Sequence, residues 1–295
     1  MEDAEWRLRF RLLPLVLPIV VLPAFFVFAP WRGEPWFALR WALFAGERWN
    51  LLRLGSLGLG DLSLLLAAGA GAALFLRDAA PPLIDIVRRQ PAASEAGPWG
   101  QVPPPVTALV SAQAARIGVA PPPVRIVRTS RPVLLCRGAR EPELVISPAT
   151  LEQLSPAELR AAVLHELAHV AARDPSLGHL LIGARALTFF NPAAQWAARA
   201  AVDEIERRAD QATLTLGEDP QALAAAIGRL FREGHPPPVD GTPLVEMLLW
   251  RARAAGVERR RVRIITAGRP PSTRFAALRL ALATAGAAAL AFLTV

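Results

Sequence analysis

The sequence predicts a mostly α-helical α+β fold, in which a compact domain with a small sheet is inserted between transmembrane helices. Long apolar segments lie near both ends of the 295-residue chain, and short apolar runs between turn residues occupy residues 124–146. Capped helical patterns follow these runs. The composition agrees, because 53% hydrophobic residues and a mean hydropathy of +0.32 exceed what ordinary soluble proteins show.

Three apolar segments have the length of membrane spans. Residues 12–31 contain no charge, residues 54–76 contain a single aspartate, and residues 275–295 contain a single arginine near their start. The first segment could alternatively be a signal peptide, and the third could alternatively be a buried helix of a soluble domain. Between the first two segments, Trp-rich residues 32–53 indicate either a stretch at the membrane surface or a polar loop.

The chain divides into four predicted parts. Residues 1–77 form an N-terminal membrane region, 78–105 a linker, 106–274 the compact domain, and 275–295 a C-terminal transmembrane helix. Within the compact domain we expect strands over residues 124–127, 133–136 and 144–146, and helices over residues 106–117, 175–190, 192–216, 220–233 and 243–257.

The charge pattern predicts the orientation of the compact domain. All basic side chains except histidine are arginines, the formal net charge is +8, and arginines cluster beside the apolar segments. By the positive-inside rule, residues 78–274 face the cytoplasm. The single Cys136 cannot form an internal disulfide, which fits a reducing compartment. We expect no direct nucleic-acid binding, because membrane lipid explains the arginines and no nucleic-acid-binding motif accompanies them.

The most specific motif is His165-Glu166-Leu167-Ala168-His169. Two histidines four positions apart share one face of a helix and can bind a single Zn²⁺. The adjacent Glu166 can then take a proton from the water that the metal activates. A surface helix with unrelated histidines is the alternative, but it fits the apolar neighbours of the motif poorly. We therefore expect one Zn²⁺ per chain.

The motif helix has clear signals at both ends. Ser155-Pro156-Ala157-Glu158 has the pattern of a capping box with proline at the first helical position. Asp174-Pro175 ends the helix. Asp174 is interpreted either as a simple cap of the next helix or as a hydrogen-bond partner of a zinc-binding histidine.

A catalytic zinc needs a third protein ligand and an open position for water. His179 and His235 are candidates, but a carboxylate is the better one. Glu206 and Asp210 share a helix face, so Glu206 would bind the metal while Asp210 accepts a hydrogen bond from a zinc-binding histidine. An ordinary solvated acidic face is the alternative. The chain has no tyrosine to stabilise an oxyanion, which leaves His179, His235 or an arginine of residues 251–263.

The stretch from Val145 to Thr213 resembles the membrane-bound zinc metallopeptidases of the BlaR/MecR sensor-transducer type. The matching pieces are Glu143-Leu144-Val145-Ile146-Ser147-Pro148, Leu154-Ser155-Pro156-Ala157-Glu158-Leu159, His165-Glu166-Leu167-Ala168-His169-Val170 with Arg173-Asp174, Phe189-Phe190-Asn191-Pro192, and Glu206-Arg207-Arg208-Ala209-Asp210. The resemblance implies a zincin-like (gluzincin) domain in a bacterial cytoplasmic membrane. It also implies that His165, His169 and Glu206 bind the zinc. Glu166 would be the catalytic base.

The sequence departs from that family in two ways. Ala209 stands where the family usually has cysteine, and Ala-Asp is closer to the related HtpX and CAAX-protease types of membrane peptidase. The chain has no lysine and therefore no Ser-x-x-Lys acylation motif, so we expect no penicillin-binding sensor domain. The input signal would then come from the membrane segments or from a separate sensor partner.

The predicted activity is zinc-dependent hydrolysis of peptide bonds in a protein or peptide substrate. One interpretation is regulatory proteolysis of a cytoplasmic protein such as a transcriptional repressor, and another is quality control of membrane proteins in the manner of HtpX. A third is a non-enzymatic membrane module with a structural zinc, but such sites usually have four protein ligands, commonly including cysteine. A sheet edge beside the motif helix would bind an extended substrate by strand addition.

Overall fold

We describe the fold from a computed structural model, in which residues 2–42, 50, 52–78, 102–127, 131–138, 140–234, 256–266 and 276–292 are described. In chain order the helices are α1 Glu2–Phe28, α2 Pro35–Arg40, α3 Leu59–Asp78, α4 Pro104–Ile117, α5 Pro148–Gln153, α6 Pro156–Ala171, α7 Asp174–Leu187, α8 Pro192–Thr215, α9 Pro220–Gly234, α10 at residues 256–265 and α11 Ala276–Phe292. The strands are β1 Arg53–Leu54, β2 Leu57–Gly58, β3 Val124–Ile126, β4 Leu134–Arg137 and β5 Glu143–Ile146. Helices dominate and the sheets are small, so the expectation of a mostly α-helical α+β protein is confirmed.

The chain forms two compact units. Unit 1 contains Ala93–Leu177 and Ile205–Pro270, and unit 2 contains Glu2–Ala92, Gly178–Glu204 and Pro271–Val295. These units divide the predicted compact domain, because residues 178–204 cluster with the apolar helices of unit 2. The predicted linker lies mostly outside the described residues. Its last two positions already belong to α4, because a proline is compatible with the first helical turn.

Two of the described helices in unit 2, α1 and α3, are long and apolar enough to cross a membrane by length and composition. Their spans are Glu5–Phe28, with a mean hydropathy of 2.3, and Leu59–Arg77, with a mean hydropathy of 1.8, and 6% of each apolar window is buried. Helices with so little buried surface differ from the core helices of a soluble domain. The second span begins later than predicted because residues 53–58 form the β1–β2 hairpin. The apolar segment of α11 is shorter, at Ala277–Ala289.

An aromatic cluster joins the C-terminal ends of α1 and α11. The ring of Phe292 lies edge-on to the rings of Phe25 and Trp31, at centroid distances of 5.3 and 5.6 Å. Arg32 donates a hydrogen bond of 2.8 Å to the carbonyl oxygen of Phe292, at the end of α11. A cation at this position is favourable, because the last carbonyl groups of a helix have no partner within it and carry partial negative charge.

In unit 1 the three-stranded sheet has the order β3-β5-β4, with β3 parallel and β4 antiparallel to the central β5. The strands begin and end close to their predicted positions. The core between this sheet and helices α4, α6 and α9 includes Val110, Leu144, Ile146, Val163 and Leu167. This packing holds the motif helix α6 against the sheet, and strand β4 lies at one edge of that sheet.

A buried carboxylate connects the segment after α8 to α4 and α6. The side chain of Glu218 is 2% exposed and pairs with Arg116 of α4 and with Arg160 of α6, the latter at 3.0 Å. Burial by itself would raise the pKa of Glu218, but the hydrogen bonds from the two arginines outweigh it, so the pKa is lowered. These ion pairs help to fix the position of α6, which carries His165 and His169.

Candidate metal centre

The motif helix α6 begins with the predicted capping box. The hydroxyl of Ser155 accepts a hydrogen bond of 3.3 Å from the backbone N–H of Glu158, whose carboxylate accepts one of 2.8 Å from the N–H of Ser155. The helix continues to Ala171, so His165 and His169 share one face. Their Nε2 atoms lie 3.1 Å apart, with the ring planes at 90°. Both rings therefore present Nε2 to the same small space.

Glu206 of α8 completes a group of three side chains that could hold a metal ion. Its carboxylate oxygens lie 3.5 Å from Nε2 of His165 and 3.8 Å from Nε2 of His169. The three ligand atoms lie within 4.8 Å of one another. Ligand atoms bound to tetrahedral Zn²⁺ at about 2.0–2.2 Å lie about 3.3–3.6 Å apart, so this arrangement fits the ion.

Asp174, the first residue of α7, contacts His169. Its Oδ2 atom lies 2.8 Å from Nδ1 of His169, and its other oxygen accepts a hydrogen bond from Arg208 of α8. Arg173 has a φ of 57°, which turns the chain between α6 and α7 and brings the carboxylate to the ring. A histidine that donates from Nδ1 keeps the lone pair of Nε2 free for a metal. The position of Asp174 therefore allows a function beyond capping α7.

Asp210 lies beside the other motif histidine. Its Oδ1 atom is 3.3 Å from Nδ1 of His165, but the two do not form a hydrogen bond. The buried Nδ1 has no hydrogen-bond partner in the described part of the chain. The carboxylate is bound instead by Arg260 of α10, at 3.0 Å from Nε and 2.6 Å from Nη2, and by Arg263 at 3.2 Å. Asp210 is thus adjacent to the atom that we expected it to bind.

Arg260 is a residue of this centre that the sequence did not single out. Its Nη1 atom lies 2.6 Å from an oxygen of Glu206, and its Nη2 atom lies 3.0 Å from Nε2 of His165. The guanidinium therefore contacts two of the atoms that would bind a metal. The sequence indicated only an arginine somewhere in residues 251–263, because nothing in the local pattern distinguishes one arginine of that run from the next.

The charges of the centre keep both Glu206 and Arg260 ionised. Burial by itself would raise the pKa of Glu206, but the hydrogen bond with His165 and the charge of Arg260 outweigh it and lower the pKa below its usual range. Burial would likewise lower the pKa of Arg260, but the hydrogen bonds and charge of Asp210 outweigh that effect and raise it. The centre thus holds a carboxylate and a guanidinium that are both charged near neutral pH.

His169 has a shifted pKa as well. Burial alone would lower the pKa of this imidazole. The hydrogen bond with Asp174 and the negative charges of Glu206 and Glu166 outweigh burial, so the pKa of His169 is raised. A proton therefore competes with a metal for this imidazole at a higher pH than it would for a free histidine.

Glu166 faces the edge of the sheet. Its Oε2 atom accepts a hydrogen bond of 3.0 Å from the backbone N–H of Cys136 in strand β4. In the antiparallel pairing of β4 with β5, the N–H and C=O groups of Leu134 and Cys136 point away from β5, towards the free edge of the sheet. Burial, and then the charge of Glu166, raise the pKa of the Cys136 thiol, so this thiol stays neutral and is a poor nucleophile.

The remaining two histidines of the chain were the alternative ligands. His179 is an exposed residue of α7, and it does not belong to the group of potential metal ligands found among the described residues. His235 lies outside the described residues, as does most of the helix predicted over residues 243–257. The carboxylate of Glu206 is therefore the third candidate ligand that the described part of the chain offers.

Comparison with known proteins agrees with this geometry. Residues 125–221, about a third of the chain, match the model of the family described as BlaR1 peptidase M56. No curated protein and no solved structure matches the chain. The matched residues include the sheet, the motif helix, Asp174 and Glu206. In this region the chain is therefore similar to peptidases of the BlaR1 type, which supports a hydrolase of the metallopeptidase class.

Proposed function

We propose that the protein is an integral-membrane zinc endopeptidase with a zincin-like plan. The observation that carries the proposal is the convergence of His165, His169 and Glu206, with Glu166 on the same helix as both histidines. Two imidazole nitrogens and one carboxylate are the donor set of a catalytic zinc, which keeps a position open for water. The described residues offer no fourth ligand to this group. The match of residues 125–221 to a peptidase family supports the same reaction.

The proposed chemistry assigns a task to each side chain. Zinc held by the three ligands would supply a Lewis acid that activates water and polarises the scissile carbonyl. The carboxylate of Glu166 accepts the proton of the attacking water and passes it to the nitrogen of the leaving amine. Asp174 orients His169. Of the oxyanion candidates that the structure describes, Arg260 has a side chain that borders the ligand atoms.

The free edge of strand β4 is the proposed binding site for an extended substrate. A peptide added beside β4 would pair with the outward backbone groups of Leu134 and Cys136. Such a strand would pass next to Glu166, because the N–H of Cys136 contacts that carboxylate. Pairing of the substrate with this N–H would release the carboxylate for proton transfer. We therefore expect unfolded or extended protein segments to be cleaved in preference to folded ones.

The membrane location and the physiological role are part of the same proposal. The apolar helices α1 and α3 support insertion into the cytoplasmic membrane, and the arginine distribution favours a cytoplasmic location for residues 78–274. A domain so placed would act on a cytoplasmic protein. The similarity to BlaR1-type peptidases favours regulatory proteolysis, with a repressor as the expected kind of substrate and a separate partner as the expected kind of sensor.

The test uses the purified full-length protein in detergent, together with Glu166→Gln. We expect one zinc per chain in both proteins, measured by elemental analysis. Cleavage of an unfolded protein by the variant should be slower by about 10²–10⁴-fold, because its base is lost while its ligands remain. Glu152→Gln, at an exposed position of α5, is the control. A wild-type protein without zinc, or a Glu166→Gln variant as active as wild type, would contradict the proposal.

A further inference from the structure

Residues 178–204 of unit 2 form a helical hairpin with an exposed apolar surface. It consists of the end of α7, a short turn, and the beginning of α8. Across the turn, the side chain of Gln195 binds both the guanidinium and the carbonyl oxygen of Arg185 at 3.0 Å. The exposed large apolar side chains of the hairpin are Leu180, Leu187, Phe189, Phe190, Trp196 and Val202. Single exposed apolar residues are ordinary, but such a density within one short segment marks an interaction surface.

The tip of the hairpin lies against the apolar part of α3. A Cβ atom at Gly71 would come within 2.3 Å of the carbonyl carbon of Phe190, so only glycine allows this approach. The rings of Phe75 and Phe189 are in contact, with centroids 6.3 Å apart. Gly71 precedes the charged Arg77 by six residues, which is about 9 Å along a helix. If α3 crosses a bilayer, the tip therefore lies at the depth of the hydrocarbon layer.

The base of the hairpin lies against the polar end of α1. Glu204 is buried and pairs with Arg7 at 2.6 Å, and the guanidinium of Arg11 lies 5.5 Å from the ring of Trp196. Both arginines precede the uncharged run of α1. The hairpin thus extends from a polar helix end, suited to a membrane surface, to an apolar helix segment suited to its interior.

Several polar groups of the turn are hydrogen-bonded within the hairpin, which a hydrocarbon environment favours. The side-chain oxygen of Asn191 accepts hydrogen bonds from the N–H groups of Ala193 and Ala194, at 3.0 and 3.2 Å. The N–H of Asn191 donates to the carbonyl oxygen of Thr188 at 2.9 Å. The buried amide of Gln195 donates to the same carbonyl at 3.1 Å. These groups can therefore leave water without losing their hydrogen bonds.

We propose that the Phe189–Phe190 tip enters the hydrocarbon layer of the membrane beside α3. The inference rests on the membrane insertion of α3 in the proposed function. Lipid is the expected occupant because the exposed tip packs on the apolar helix α3, whose side chains Leu64 and Leu66 are themselves exposed. In the sequence the hairpin follows Asp174 and precedes Glu206, so the helix that supplies the third ligand would begin in lipid.

Single spin labels test this inference on the full-length chain. Cys136→Ala removes the one native cysteine. In that background, Phe190→Cys and Leu187→Cys probe the hairpin, Leu66→Cys probes α3, and Glu152→Cys reports an exposed polar position. After reconstitution into vesicles of phosphatidylethanolamine and phosphatidylglycerol, collision rates with oxygen and with a water-soluble nickel chelate are measured by electron paramagnetic resonance. We expect both hairpin labels to resemble Leu66→Cys, with high oxygen and low nickel accessibility.

Two glycines of α3 provide a matched pair. Gly71→Leu would place a side chain where the backbone of Phe190 lies, whereas a side chain at Gly69 meets nothing within 4 Å. We expect Gly71→Leu to raise the nickel accessibility of the Phe190→Cys label several-fold and Gly69→Leu to leave it unchanged. Equal effects of the two variants would overturn the contact on which the inference depends.

The spin-label results also distinguish a failure of the hairpin inference from a failure of the proposed insertion of α3. Nickel accessibility of the Phe190→Cys label equal to that at Glu152→Cys would overturn the inference. Protection of that label from both reagents would also overturn it, since this indicates a protein partner or a second copy of the chain. High nickel accessibility at Leu66→Cys would instead overturn the proposed insertion of α3.

Discussion

Asp174 holds its Oδ2 atom 2.8 Å from Nδ1 of His169, on the side of the ring opposite to the candidate metal position. This pairing fixes the ring and directs Nε2 towards Glu206, whose nearer oxygen is 3.8 Å away. Carboxylates in this position raise the basicity of a zinc-binding histidine, and their loss typically costs 10–100-fold in metal affinity or activity.

We therefore predict that Asp174→Asn weakens zinc binding by about 10–100-fold. The substitution keeps the shape of the side chain but removes the negative charge that polarises the imidazole. Competition with a coloured chelator measures the affinity. The control is Asp203→Asn, which changes an exposed carboxylate of α8. Equal zinc affinities of Asp174→Asn and wild type would show that Asp174 only caps α7.

Zinc affinity should also depend on pH through His169. The pKa of this imidazole is raised above its ordinary value of 6.5, so below the raised pKa the metal must displace a proton. The affinity should be constant well above that pKa and fall by up to about tenfold per pH unit below it. Glu206 adds nothing to this slope, because its pKa is lowered and it stays ionised. Calorimetric titrations of zinc in buffers of different ionisation enthalpy would detect the released proton. A binding enthalpy that does not depend on the buffer near pH 6.5 would contradict the prediction.

Removal of the Arg260 guanidinium should strengthen zinc binding. Its nitrogens contact Glu206 at 2.6 Å and Nε2 of His165 at 3.0 Å, so arginine and zinc compete for the same atoms and repel each other. We expect Arg260→Met to bind zinc on the order of tenfold more tightly, which corresponds to about 1.4 kcal/mol. Arg263→Met is the matched control, since Arg263 contacts Asp210 without contacting the ligand atoms. Weaker binding by Arg260→Met would show instead that this arginine positions the ligands.

The ion pairs of Glu218 should contribute to the stability of unit 1. Glu218→Gln removes a buried charge from two arginines whose side chains are 36% and 48% exposed, so we expect a loss of about 1–3 kcal/mol rather than the larger cost of a fully buried pair. Thermal unfolding in detergent measures the difference. Glu152→Gln, an exposed substitution, is the control. A Glu218→Gln variant as stable as wild type near neutral pH would show that these ion pairs do not contribute to stability.

The same carboxylate predicts a dependence of stability on pH. The pKa of Glu218 is lowered in the folded protein, so its stabilising effect is fully present above the ordinary value of 4.5. That effect is lost as the pH falls through the folded pKa. Between pH 4.5 and that lower pKa, the difference in unfolding temperature between wild type and Glu218→Gln should therefore shrink. A difference that stays constant over this range would contradict the assignment.

Much of unit 1 was predictable because its signals are local. Short apolar runs between turn residues indicated the three strands, and the capping box at Ser155 marked the first turn of α6. The spacing of His165 and His169 is enough to place both rings on one face of a helix. The predicted span over residues 54–76 begins earlier than α3, which begins at Leu59. Residues 53–58 form the β1–β2 hairpin instead, and Gly55 with a φ of +66° favours its turn.

Local sequence was sufficient to predict the helical periodicity, the strand pattern and the residue types that can bind zinc, since these depend on neighbours within about two turns of a helix. Three contacts between distant groups became visible only in the folded chain: Arg260 at the candidate ligand atoms, the N–H of Cys136 at Glu166, and the backbone of Phe190 at Gly71. These contacts join residues far apart in the chain, and packing selects them among many chemically equal candidates. For that reason the motif predicted the metal centre, while its arginine and the position of the hairpin required the fold.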